Sequence, residues 1–169
     1  MKVIGYLCKK TEIVMIKYFN ELTDEQKNAI YSDCMIANFD KSLSFALVKE
    51  GEVTGYVLLR KNIIPQNIKI QPPIQFDSSE NACEIIRVKS YVQPDLEILL
   101  SLLKHTSNRI EMWADKEEGP FNYFWGMLNK EEDANFYANC LDCEISKCLI
   151  GSDTVHHLIY RKLLNDFTD

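Results

Sequence analysis

Glycine is scarce in this chain, with six in 169 residues. That number excludes an architecture resting on repeated glycine-rich phosphate loops, in which the backbone must come close to an anion. Long apolar runs are missing too. Nothing approaches the roughly 20 residues that a membrane-spanning helix requires. The opening "MKVIGYLCKK" holds too short an apolar stretch for a signal peptide. Both absences predict a soluble, cytoplasmic protein with no membrane contact. Positive charge is in deficit: 19 Lys and Arg face 25 Asp and Glu, a net charge of −6. Affinity for a polyanion rests largely on Lys and Arg, so nucleic acid is not an expected partner. An acidic surface suits a small-molecule amine or a basic peptide instead. Repeats, low-complexity tracts and Gly/Ser linkers are also absent. Residues 1–169 therefore read as a single domain, and 46% apolar content is enough for a core. In a reducing compartment the six cysteines are expected as thiols.

The segments that are present alternate in type. "KVIGYLCK" (2–9) reads as a strand. Ile13, Ile16, Phe19 and Leu22 recur at spacings of three and predict a helix from Glu12. Thr23 to Gln26 is a T-x-x-Q capping signature for a second helix, with Ala29, Ile30, Cys34 and Ala37 on its buried face. "SLSFALVKEGEVTGYVLLRK" (42–61) predicts an antiparallel hairpin turning at Glu50-Gly51. Residues 62–82 hold three of the five prolines and predict a long loop with a short edge strand. That loop is a candidate for shaping a substrate pocket or for a subunit contact in a homodimer, and the sequence leaves both open. "CEIIRVKSYV" (83–92) is a strand that passes almost directly into a helix, with Pro94 suited to the first helical position. "RIEMWAD" (109–115) predicts a further strand, and 121–140 a helix broken near Asn129. "EISKCLI" and "HHLIYRKLL" predict a closing hairpin. The order β-α-α-β-β-β-α-β-α-β-β implies an α/β (α+β) fold: a mixed, mostly antiparallel sheet of about six to seven strands flanked by helices.

This order resembles the GNAT N-acyltransferase superfamily over nearly the whole chain. "ALVKEGEVTGYVLL" is similar to the family's second and third strands around a glycine turn. "CEIIRV" is similar to its fourth strand, and "ANFYANCLDCEI" to its last helix. The resemblance implies acyl transfer from acetyl-CoA or another acyl-CoA to an amine. It places the pantetheine arm in a cleft after the fourth strand, taken here as lying between 83–92 and 109–115. Val88, Lys89, Ser90 and Gln93 would contact the cofactor. Tyr137 falls on the family's F-Y pair and would be the acid that protonates the leaving thiolate. Glu84 would be the base, with Glu111 in reserve.

One departure is physical. The family's pyrophosphate loop, Q/R-x-x-G-x-G/A, has no glycines here. Counting from Val88, Gln93 takes the first position and Leu96 and Ile98 the glycine positions. Asp95 and Glu97 place carboxylates in the first helical turn, where they occupy the positive end of the helix and repel a phosphate. A GNAT-like binding or regulatory module that has lost CoA is therefore a second reading. No metal site is expected. Cys140, Cys143, Cys148, His156 and His157 contain one C-x-x-C, but residues five apart on one strand point to opposite faces. The aromatic run Trp113, Phe121, Tyr123, Phe124 and Trp125 reads as core before pocket.

Overall fold

The computed structural model describes residues 14–33, 38–74, 81–91, 96–115, 121–151 and 154–163. In chain order the elements are β1 (Val14–Tyr18), α1 (Asp24–Asp33), β2 (Phe45–Lys49), β3 (Glu52–Lys61), β4 (Lys69–Gln71), β5 (Ala82–Ser90), α2 (Leu96–Asp115), β6 (Tyr123–Leu128), α3 (Glu131–Leu141), β7 (Glu144–Ile150) and β8 (Thr154–Lys162). A single 3-10 turn, Phe19–Glu21, joins β1 to α1. The strands form one eight-stranded sheet in the order β1-β2-β3-β5-β6-β8-β7-β4. Its neighbours are antiparallel except β5 and β6, which run parallel. Parallel neighbours need a crossover, and α2 supplies it. Among the described residues no helix is long and apolar enough to cross a membrane.

Both sheet faces are covered. On one, α2 (Leu102, Leu103, Ile110, Trp113) and α3 (Ala134, Ala138, Leu141) pack on Phe45, Leu47, Val57, Leu59, Cys83 and Ile85. On the other, Ile30 of α1 joins Phe19 and Leu22 over Ala46, Val48, Tyr56 and Leu58. Beside α1, Ile64 with Ile63, Ile68, Ile70 and Ile74 covers Tyr123, Trp125, Cys148 and Leu158. The proline-bearing segment thus contributes the edge strand β4 and a lid over one end of the sheet.

Several local expectations hold for local reasons. The Thr23 N–H donates to Gln26 Oε1 at 2.9 Å, and the Gln26 N–H donates back to Thr23 Oγ1 at 3.2 Å. The same Gln26 donates through Nε2 to Gly51 O at 2.8 Å, tying α1 to the β2–β3 turn. That turn holds Glu50 at φ 52° and Gly51 at φ 79°. Two consecutive left-handed residues match the twist of a two-residue hairpin. Ile30 is buried as expected of α1, but Ala29 is exposed. Cys34, Ala37 and the strand expected at 2–9 lie outside the described residues.

Three segments differ from the sequence expectation. Residues 14–18 are a strand, not a helix. The spacing of three from Ile16 to Phe19 and Leu22 arises where a strand passes into a 3-10 turn. Residues 109–115 are not a strand but the last turns of α2. Its buried side chains Leu102, Leu103, Thr106, Ile110 and Trp113 continue one helical stripe without interruption. Residues 123–128 are a strand, not a helix. Tyr123 and Trp125 face one core and Phe124 the other, an alternation of period two. The neighbour of β5 is therefore β6. The aromatic run is core throughout: Trp125 donates from Nε1 to Asn62 O at 2.7 Å, and the Ile64 N–H donates to the Tyr123 hydroxyl at 3.0 Å.

Gly126 lies opposite Ile85 where β5 and β6 last pair, and a Cβ there would sit 2.2 Å from Ile85 Cγ2. Gly126→Ala should destabilise the fold by about 1–3 kcal/mol, the usual cost of overpacking. Urea unfolding checks this, and an unchanged midpoint would contradict it.

A cluster under α2 carries a second prediction. The His105 ring sits 4.6 Å from Phe45 and 6.3 Å from Tyr18, and its Nε2 is buried with no hydrogen-bond partner among the described residues. Burial, and then the charge of Arg109, lower its pKa below the ordinary histidine value. The unfolded chain therefore takes up this proton more readily than the folded one. Stability should fall as pH drops below about 6.5, with no contribution from this group above it. His105→Phe keeps a ring against Phe45 and should flatten the slope of unfolding free energy between about pH 7.5 and 5.5. Equal slopes in the two proteins would contradict the assignment.

Candidate active site

β5 and β6 run together only from Ala82↔Tyr123 to Ile85↔Gly126. Beyond that, β5 continues to Ser90 along β3, and β6 continues to Leu128 along β8. Each strand keeps its outer neighbour and leaves the other, so the sheet splits. The cause lies within β5. Ile85 opposes Leu59 and Arg87 opposes Leu58, so Ile86 is an extra residue. A bulge of this kind bends its strand and increases its twist. It also shifts the alternation of side chains. Cys83 and Ile85 enter the core under α2, and past the bulge Val88 joins that core, whereas Arg87 and Lys89 reach Asp33 of α1.

The backbone follows the same logic. The Tyr91 N–H donates to Thr54 O at 2.9 Å. Alternation from that bond turns the N–H and C=O of Lys89 and Arg87 toward β3, and those of Val88 and Ser90 toward the split. The Val88 and Leu128 side chains pack, partly buried, on the core that α2 and α3 share. The gap is thus a slot with apolar walls and backbone hydrogen-bonding groups along one edge, suited to an extended ligand with amides of its own.

The anion end is less complete. Gln93 and Asp95 lie outside the described residues. Glu97 sits in the first turn of α2. Lys89 Nζ is 3.9 Å from Asp33 Oδ1, and Arg87 Nη2 is 3.7 Å from Asp33 Oδ2. The Tyr56 hydroxyl donates to the same Oδ2 at 2.5 Å, and burial followed by this bond raises the phenol's pKa. Both cations therefore point to the α1 face and share one carboxylate. Gly55 allows α2 its close approach: a Cβ there would meet Leu102 Cδ1 and Lys89 O at 2.8 Å each.

Tyr137 stands on α3, half-buried against the same core as Val88 and Leu128. Its ring lies 6.0 Å from that of Phe136. Among the described residues its hydroxyl has no hydrogen-bond partner. Burial, then Asp133 and Cys140, raise its pKa, so it stays protonated at neutral pH. Glu84 lies on the opposite face of the sheet. Its Oε2 accepts from Arg60 Nε at 2.5 Å and from Asn62 Nδ2 at 2.9 Å. Glu111 is on α2 rather than a strand, where it pairs with Arg161 of β8 at 2.5 Å. Tyr137 thus packs on the core that Val88 and Leu128 also join, and Glu84 stands on the other face, one residue before the last β5–β6 pair. Sequence reasoning missed Arg60, Asn62 and Asp33. Cross-strand register brings Arg60 to Glu84, and the packing of α1 on the sheet brings Asp33 to Arg87 and Lys89; no local pattern encodes either. Among the described residues no three His, Cys, Asp or Glu side chains converge as a metal site needs.

No family model and no curated protein matches the sequence. Solved structures match the fold. Arabidopsis thaliana Naa50, in complex with the bisubstrate analogue CoA-Ac-MVNAL, is 11% identical with a TM-score of 0.56, over 88% of this chain and 98% of that one. A Bacillus subtilis acetyltransferase in complex with CoA is 12% identical with a TM-score of 0.54, over 90% of this chain and 100% of that one. An acetyltransferase of the GNAT family from Bacillus cereus ATCC 10987 is 11% identical with a TM-score of 0.51, over 90% and 99%. The split between parallel β5 and β6, the crossover helix between them and these likenesses agree: this chain has the fold of the GNAT N-acetyltransferases.

Proposed function

We propose that the protein transfers an acyl group from acyl-CoA to an amine. The observation that carries this reading is the split itself. β5 and β6 pair over 82–85 and 123–126 and then diverge, turning the backbone of Val88 into the gap. The pantetheine arm is extended and carries two amides, so it fits a slot with apolar walls and a polar edge. The solved acetyltransferases of this fold named above include complexes with CoA or a CoA-bearing analogue. In the reaction, the amine nitrogen attacks the thioester carbonyl carbon. The C–N bond forms as the C–S bond breaks. Of the two protons an ammonium must lose, one leaves through Glu84 and the second ends on the CoA sulfur. Tyr137, protonated and without a competing bond among the described residues, is suited to supply that sulfur. At Glu84 the incoming proton goes to Oε1, because Oε2 already serves Arg60 and Asn62.

The binding-module alternative has support of its own. The first turn of α2 carries Glu97 and lacks the family's glycines, while Arg87 and Lys89 are engaged by Asp33. These features weaken the hold on the pyrophosphate and shift affinity toward the pantetheine slot. A thermal-shift titration separates the two readings. Acetyl-CoA at a hundredfold excess over its Kd adds about 2.7 kcal/mol of stability. No shift at millimolar acetyl-CoA or CoA would remove the enzyme reading. With binding established, Tyr137→Phe should lower turnover by roughly 10²-fold or more and leave CoA affinity unchanged. Undiminished turnover would overturn the acid assignment.

A further inference from the structure

A second cavity opens beside Glu84. It is a cleft of ≈ 380 Å³ lined by Asn38, Phe39, Asp40, Arg60, Lys61 and Asn62. Two of these residues, Arg60 and Asn62, are the ones that hold Glu84. Glu84 immediately precedes Ile85, the last residue of β5 paired with β6. Two walls of the cleft, Arg60 and Asn62, thus bond to the residue of β5 that precedes the apex of the split. The cleft lies on the sheet face away from α2 and α3, so a molecule in it would reach the apex from the side opposite Tyr137. Its volume falls in the roughly 300–1,000 Å³ range of small-molecule sites.

Asp40, Arg60 and Lys61 on the cleft wall, with Glu84 behind Arg60 and Asn62, bring both signs of charge together and are only partly used. Asp40 Oδ1 accepts from the Ser42 N–H at 2.8 Å, the Ser42 hydroxyl at 2.6 Å and the Leu43 N–H at 3.3 Å. Burial opposes ionisation of Asp40, but these bonds and the charge of Lys61 outweigh it and hold the carboxyl below its ordinary pKa. Glu84 receives its two bonds on Oε2 alone. Among the described residues, one oxygen of each carboxylate therefore remains to accept. On the donor side, Lys61 is exposed and makes no ion pair among the described residues. Arg60 spends Nε on Glu84 and has only a 3.5 Å contact from Nη1 to Asn38 O, so its outer edge can still donate. A polycation would meet Arg60 and Lys61, and a polyanion would meet Glu84 and Asp40. A molecule with one charge of each sign satisfies both sides, and the Phe39 ring offers a wall to its apolar stem.

We infer that this cleft is the acceptor site and that the acceptor is a small amine carrying its own carboxylate, such as a free α-amino acid. The assignment of the cleft as an acceptor site rests on the acyl-transfer reading above. Its ligand chemistry can be tested apart from turnover. Calorimetry on the full chain would compare a panel of free α-amino acids with their α-carboxamides, which keep the amine and lose the carboxylate. At least one amino acid should bind tenfold or more tightly than its amide. Lys61→Glu should abolish that preference, and its exposed position leaves the fold intact by circular dichroism. Equal affinity for acid and amide, absence of binding by both, or a preference that survives Lys61→Glu would each overturn the inference. An acylation assay with acetyl-CoA completes the test. Carboxylate-selective binding that Lys61→Glu removes, without turnover of any amine, would retire acyl transfer and leave a zwitterion-binding cleft. Turnover that favours the amides would keep acyl transfer and reject the cleft as its acceptor site.

Discussion

A methyl group at Gly126 would meet Ile85 Cγ2 at 2.2 Å, and the residue after Ile85 is the extra one in β5. Tight contact on one side of that point and a bulge on the other set the geometry of the centre of the sheet. Without the extra residue, β5 would keep its alternation. Arg87 and Lys89 would then enter the core under α2, and Val88 would face α1. Burying two cations there without partners would cost several kcal/mol each. The bulge and the sequence of β5 are therefore mutually consistent: the order I-I-R-V-K can be accommodated only if the strand slips by one at Ile86. The split between β5 and β6 follows from that slip.

The same constraint decides where charge is available. Past the bulge, the cations of β5 turn to α1 and are met by Asp33, which also holds the Tyr56 hydroxyl. The α2 side of the split keeps an apolar lining of Val88 and Leu128, and the half-buried Tyr137 packs on the same core. A ligand entering from that side gains from burial and backbone hydrogen bonds more than from ion pairs. The opposite face, around Arg60, Lys61, Asp40 and Glu84, is where charges alternate. The two sides of the sheet therefore offer different chemistry, an apolar one with backbone groups on one side and a charged one on the other, as the proposed transfer from a thioester to a small charged amine requires.

Much of this was legible in the sequence where the determinants are local. Thr23 and Gln26, Glu50-Gly51, Pro-rich 62–82 and the closing hairpin each carry their signal within a few residues. The β5 strand and the helix after it were legible for the same reason, as was the absence of glycines at that junction. What was not legible depended on partners far along the chain. Tyr123, Phe124 and Trp125 resemble a helix stripe until it is known that both sheet faces are covered, so that every residue of the strand can be apolar. Residues 109–115 look β-prone because Ile110 and Trp113 are good strand formers, yet Thr106, Ile110 and Trp113 extend the stripe begun by Leu102. The bulge at Ile86 has no signature of its own. It shows only when the register against β3 is counted. Glu84 and Tyr137 were named from a resemblance, and their placement on opposite faces was beyond the reach of the pattern that suggested them.

Amide hydrogen exchange along β5 tests the central geometry most directly. With β5 split from β6 beyond Ile85, the amides of Arg87 and Lys89, bonded to β3, should exchange slowly, and the amide of Val88, facing the gap, should exchange fast. Addition of CoA should slow Val88 and leave its two neighbours unchanged. If Val88 is as protected as Arg87 and Lys89 in the free protein, the sheet is closed at that point and there is no slot for a thioester to enter.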